Sequence, residues 1–156
     1  MGYTTDFYGQ FNINKPLDDE TYDLLVGLNE TRRMGRKGLD EKYGIEGEFY
    51  CEDREDSGQN QHPSIIDHNV PPKTQPGLWC QWVPTEDRLA IVWDEGEKFY
   101  NYIEWIGYLI NKILDPKGYK LNGEVEWEGE DTSNDLGKII IVNNKISIKE
   151  GYIQYK

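Results

Sequence analysis

Cysteine occurs only twice in this chain, at Cys51 and Cys80, too few for a disulfide scaffold or a four-cysteine zinc site. Long apolar runs are missing as well, since none approaches the roughly 20 residues that span a bilayer. The opening MGYTTDFYGQ has neither the charged nor the apolar region of a secretory signal. Gly2 would suit N-myristoylation, but that pattern wants Ser or Thr where Asp6 stands. These absences predict a protein of a reducing cytoplasm and make Asn29-Glu30-Thr31 an incidental glycosylation sequon. Positive charge is also scarce: 17 Lys and Arg against 29 Asp and Glu leave a net charge of −12. Phosphate backbones and anionic membranes are held by clustered cations, so neither nucleic acid nor membrane is expected as a direct partner. A basic protein is favoured instead.

Aromatic side chains are plentiful. They make up 13% of the 156 residues, with five Trp and eleven Tyr, a content that disordered chains lack. One domain with one sizeable core is the expectation for this length.

Periodicity then divides the chain. YTTDFYGQFNI (3–13) alternates, with Phe7, Gly9, Phe11 and Ile13 on one face, and reads as a half-buried strand. In PLDDETYDLLVGL, Asp18 is an N-cap, acids fill the first turn, and Leu17 can staple onto Tyr22. Leu24, Leu25 and Leu28 supply the buried stripe of a helix over 19–30. Residues 36–77 form a long irregular insertion in which IEGEFYC (45–51) is the one good strand candidate. LWCQWVPTEDRLAIVW reads as a hairpin around Pro84–Asp87. Asp94 and Glu97 then resemble a capping box, opening a helix over 96–114 that Pro116 and Gly118 stop. Tyr119, Leu121, Gly123, Val125 and Trp127 share one face of the next strand. KIIIVNNKISIK makes a hairpin on Asn143-Asn144 that sets Ile139 against Ile148 and Ile141 against Ile146. The expected fold is α+β: about six mainly antiparallel strands with two helices on one face, close to the split β-α-β plan.

The stretches GYTTDFYG, TRRM, YGIEGEFY, DHNVPPKTQPGLWCQWVPTED, EKFYNYIEWIGYLI and GYKLNGEVEWEGED together resemble an uncharacterised family of small acidic bacteriophage and bacterial, often actinobacterial, proteins. The resemblance runs over nearly the whole chain. It departs at Val92, where Glu is expected before the Trp of IVWD. It implies a phage accessory protein acting in the host cytoplasm, and by analogy an inhibitor of a basic, nucleic-acid-handling host protein. It brings no catalytic residue with it.

The candidate sites are few. LNGEVEWEGED places Glu124, Glu126, Glu128 and Glu130 at every second position, with no Lys or Arg from 121 to 137. Same-face residues of a strand stand about 6.6–6.8 Å apart. A flat stripe so spaced cannot by itself supply the six to eight oxygens of a Ca²⁺ site. The stripe is therefore read first as the wet side of a strand, then as a surface for a basic partner with Trp79 beside it, and last as a cation site. Arg32, Arg33 and Arg36, with Lys37, either complement a helix C-terminus or form a pocket for a small anion such as a nucleotide, with the long loop as lid. His62, Asp67 and His68 match no strong metal spacing even with Cys51 or Cys80 nearby. EDREDSGQNQHPS imitates a calcium loop through Asp53, Glu55 and Gly58 but puts Ser64 in the place of its closing Glu. Cys80 shares a strand face with Leu78 and Trp82, which reads as core. There is no nucleophile elbow, no Gly-rich phosphate loop and no two-His zinc helix, so no catalytic residue, metal or cofactor is assigned. A non-enzymatic binding protein is the leading expectation. The alternative is a protein that binds or transforms a small anionic ligand.

Overall fold

A computed structural model describes residues 2–51, 62–131 and 134–154. The elements run β1 (Thr5–Ile13), α1 (Asp19–Glu30), β2 (Gly35–Arg36), β3 (Ile65–Asp67), β4 (Trp82–Pro84), β5 (Ala90–Trp93), α2 (Tyr102–Leu109), β6 (Leu121–Gly129), β7 (Leu136–Val142) and β8 (Lys145–Glu150). Six of the strands form one sheet in the order β4-β5-β1-β6-β7-β8, while β2 and β3 pair by themselves. Every pairing is antiparallel. β5 and β6 both flank β1, so they run parallel to each other, and α2 crosses between them. β4 likewise runs parallel to β1 with β5 between, and α1 makes that crossover. Two interleaved split β-α-β units result, extended at one edge by the β7–β8 hairpin.

Alternation decides which face the helices cover. Phe7, Phe11 and Ile13 of β1 join Leu121, Val125 and Trp127 of β6, and Ile139 and Ile141 of β7, in one core cluster with Leu25, Leu28, Trp105, Ile106 and Leu109 of the helices. The opposite residues of β6, Glu124, Glu126 and Glu128, are exposed. The hairpin has the expected register, Ile139 opposite Ile148 and Ile141 opposite Ile146, with Asn143 and Asn144 both at positive φ. At the centre, Gly9 and Gly123 lie at φ +113° and +147°, and a Cβ on them would stand 2.5 Å from Glu124 O and 2.6 Å from Gln10 O. β1 and β6 therefore meet where no side chain fits.

Two expected elements differ. Asp18 caps α1 as read, accepting from the Thr21 amide at 2.7 Å. α2, however, begins at Tyr102 rather than near residue 96. Asp94 does not cap a helix; its carboxylate accepts from the Gly96 amide at 2.7 Å and from Asn29 Nδ2 at 2.9 Å. The intervening chain takes positive φ at Glu95, Lys98 and Asn101, a conformation that is costly for side-chain-bearing residues. What offsets this is aromatic packing: Phe99 is buried, with ring centroids 5.3 Å from Trp82 and 5.7 Å from Phe7. The helical path then continues through a wide π turn (Ile110–Leu114) and a 3₁₀ turn (Asp115–Lys117), and Gly118 at φ +83° ends it. The strand expected over 45–51 is also absent. A 3₁₀ turn (Ile45–Gly47) stands there, opened by Gly44 at φ +75° and carrying Glu46 in the left-handed region.

Candidate functional site

Among the described residues no helix covers the outer side of the sheet, and the acid stripe lies there. Glu124 sits between Gln10 and Ile140, Glu126 between Tyr8 and Lys138, and Glu128 between Asp6 and Leu136. The stripe is thus a column down the middle of an open face. Glu130 leaves it, since its Oε1 accepts the Thr4 amide at 2.7 Å and ties the N-terminal segment to the end of β6.

The column is not isolated. Lys138, one residue beyond the cation-free stretch, pairs across to Glu126 and places Nζ 3.6 Å from Glu124 Oε2 and 3.8 Å from Glu126 Oε1. These groups are about half exposed, so the contact contributes little to stability. It does reshape the field. Lys145 and Lys149 of β8 pair with Val142 and Lys138 and so stand on the same face. Acids of β1 and β6 therefore border lysines of β7 and β8. Where they meet, a depression of about 590 Å³ is lined by Tyr8, Glu126, Glu128, Lys138, Lys149 and Ile153 among others. Tyr8 is 54% exposed, leaving an aromatic ring beside the acids. Trp79 is exposed too, but it belongs to the segment leading into β4 rather than to the sheet, and it does not line this depression.

The arginine cluster turns inward. None of it lies in the last turn of α1. Arg33 is 2% exposed and donates to Gly47 O (3.3 Å), Glu48 O (2.9 Å), Gln75 Oε1 (3.3 Å) and Thr31 Oγ1 (2.5 Å). Burial lowers its pKa to about 10, so it remains charged at neutral pH. Arg36 is buried, donates to Ser64 Oγ at 2.9 Å and lies over the Tyr50 ring at 4.4 Å. Arg32 donates to His68 O at 2.8 Å and Asn69 Oδ1 at 3.2 Å. Arg32 and Arg33, in the segment just after α1, tie that segment to the 36–77 insertion, and Arg36 braces the insertion internally. A ligand pocket built from all three is not what the geometry provides.

Glu48 completes the same network and carried no signal in the sequence. Its Oε1 accepts from Tyr108 OH (2.8 Å) and Thr74 Oγ1 (3.0 Å), and its Oε2 from the Ile45 amide (2.9 Å). Burial, with the Glu48 hydrogen bond, pushes the Tyr108 phenol upward, which keeps it a donor.

Among the described residues, no three or more His, Cys, Asp or Glu side chains are grouped to hold a metal. Asp53, Glu55 and Gly58, the imitation calcium loop, lie outside the described residues. His62 Nδ1 lies 2.7 Å from Ser64 Oγ. Cys80 is buried, and burial pushes its thiol up to about 12. Nucleophilic chemistry needs the thiolate, so Cys80 is core. In a Cys51→Ser variant, native protein at mild alkaline pH is expected to leave Cys80 unreacted toward a disulfide reagent until denaturant is added; rapid native labelling would contradict the burial.

No family model, curated protein sequence or solved structure matches the chain.

Proposed function

We propose that this is a non-enzymatic binding protein that engages a basic partner through the open face of its sheet. The observation that carries this reading is that face itself: six strands wide, uncovered by any helix among the described residues, with Glu124, Glu126 and Glu128 in an exposed column beside Tyr8. Strand-borne carboxylates have their backbone spacing already fixed, so a partner that pairs with them orders side chains but not main chain. The neighbouring Lys138 and Lys149 give the face a mosaic of both signs. Such a mosaic selects a partner by register as well as by total charge. The net charge of −12 steers basic proteins toward it at long range. Proteins that handle nucleic acids carry the cationic surfaces this demands, so an accessory or inhibitory role against one of them is the specific form of the proposal.

Capture from a cell lysate on immobilised protein tests the chemistry. Basic proteins are expected to be retained at low salt and released as salt rises past the range where the screening length falls to a few ångströms. A retained set without a basic bias, or one indifferent to salt, would remove the reading.

A further inference from the structure

On the helical side of the molecule, away from the open face, a cavity of about 410 Å³ lies between the first half of α1, the 3₁₀ turn at Glu41–Tyr43 and the π turn after α2. Its volume falls within the range of about 300–1,000 Å³ typical of small-ligand sites. Three of the chain's 17 cationic residues, Lys42, Lys112 and Lys117, line it. Glu20 is the single acid among the described lining residues, so that lining carries an excess of two positive charges, with Glu48 behind Lys112, in a protein of net charge −12.

These ammonium groups are weakly engaged. Lys112 Nζ stands 3.9 Å from Glu48 Oε1, an oxygen already accepting from Tyr108 and Thr74. Lys117 Nζ stands 3.8 Å from Glu20 Oε1 and donates to Thr21 Oγ1 at 3.2 Å. Lys42 Nζ lies 5.0 Å from the centre of the Tyr43 ring. Both carboxylate distances exceed the roughly 3.2 Å of a hydrogen bond. Between the lysines the lining is apolar: Leu24 and Ile113 behind, with the rings of Tyr43 and Phe49, both only partly buried.

We propose that this cavity binds a small phosphate monoester with a flat aromatic body, a nucleoside monophosphate being the simplest. Lysine binds phosphate as a compact point charge, which suits a lining that carries three ammonium groups. Tyr43 and Phe49 offer the ring surfaces for the base. Glu20 repels the head from the Lys117 side, so the phosphate sits nearer Lys42 and Lys112. The site shares no residue with the open sheet face, so the two readings stand or fall separately.

Calorimetry on the full chain at low salt tests it, with AMP, adenosine and inorganic phosphate as probes. AMP is expected to bind more tightly than either fragment. Its affinity should fall about tenfold or more in Lys42→Ala with Lys112→Ala, by loss of charge-assisted hydrogen bonds. Lys42→Ala with Lys117→Ala should weaken it as well, and this second pair leaves the buried Glu48 its neighbour, so it reports even where the first fails to fold. Lys138→Ala with Lys149→Ala, on the opposite face, should leave AMP affinity unchanged. The proposal is overturned by absence of AMP binding, by AMP affinity that survives in the cavity variants, by phosphate binding as tightly as AMP, or by an equal loss in the opposite-face control.

Discussion

Replacing Glu124, Glu126 and Glu128 together by lysine is expected to abolish capture of the basic partner while the protein still folds. The three carboxylates are exposed, and among the described residues their side-chain polar contacts are the long ones of Glu124 and Glu126 with Lys138. Surface changes of this kind cost within about ±0.5 kcal/mol each. Charge reversal would relieve crowding of Glu128 against Asp6, which faces it across β1, but it would also set new ammonium groups against Lys138. Pairing the triple variant with Lys138→Glu restores opposite signs across β6 and β7, and this quadruple variant should recover any lost melting temperature without recovering the partner. Binding responds differently because complementary charge speeds encounter and like charge excludes docking. Wild-type melting temperature should be unmoved by added Ca²⁺ or Mg²⁺, since a flat column spaced at twice the strand rise cannot enclose a cation. A metal-induced rise would favour a cation site over the partner surface. Unfolding of both variants would show that the acids support the fold, and undiminished capture would leave the column as a solvated face only.

Arg33→Met should be the most damaging single change to the hold on the 36–77 insertion. The guanidinium is buried and satisfied by neutral acceptors alone: two carbonyls, an amide oxygen and a hydroxyl. Methionine fills much of the volume but removes every donor. Glu48 O keeps its bond from Gln75 Nε2 and Gly47 O keeps that from the Tyr50 amide at 2.9 Å, whereas Gln75 Oε1 loses the hydrogen bond that Arg33 supplied. An unsatisfied buried acceptor costs about 1–3 kcal/mol, and removing a buried cation returns part of that, so a net loss of roughly 1–2 kcal/mol is expected. Arg33→Lys should do nearly as badly, because one ammonium cannot reproduce a fork reaching four acceptors. Denaturant unfolding measures the loss, and hydrogen exchange locates it: protection should fall over 31–50 and around Gln75 while β1 and β6 stay protected. A variant within about 0.5 kcal/mol of wild type would show that the network does not hold the insertion in place.

Much of the architecture could be read from the chain because it depends on local alternation. β1 and β6 carry strict two-residue periods, α1 carries its own cap and leucine stripe, and the Asn143-Asn144 turn sets the β7–β8 register by itself. The exposure of Glu124, Glu126 and Glu128 follows from the same periodicity, since Val125 and Trp127 must face the core. The start of α2 was not legible: local charge spacing favours a cap at Asp94, and only the aromatic cluster around Phe7 shows why the chain stays non-helical to Asn101. Lys138 looked remote from the acids along the chain, yet antiparallel pairing brings it opposite Glu126. The arginines read as a complement to a helix C-terminus or as an anion pocket because sequence records charge but not the carbonyls of Gly47 and Glu48 that make the burial of Arg33 tolerable. Lys42, Lys112 and Lys117 stand far apart in sequence, and only packing of the insertion against α1 and the π turn gathers them around one cavity. Hydrophobic period and turn chemistry act between near neighbours and so determined the strands of the six-stranded sheet, α1 and the wet face from sequence alone, but not the short β2 and β3 of the insertion. Which strands flank β1, which charges are buried and which lysines converge depend on contacts between distant segments, and these only the tertiary structure decided.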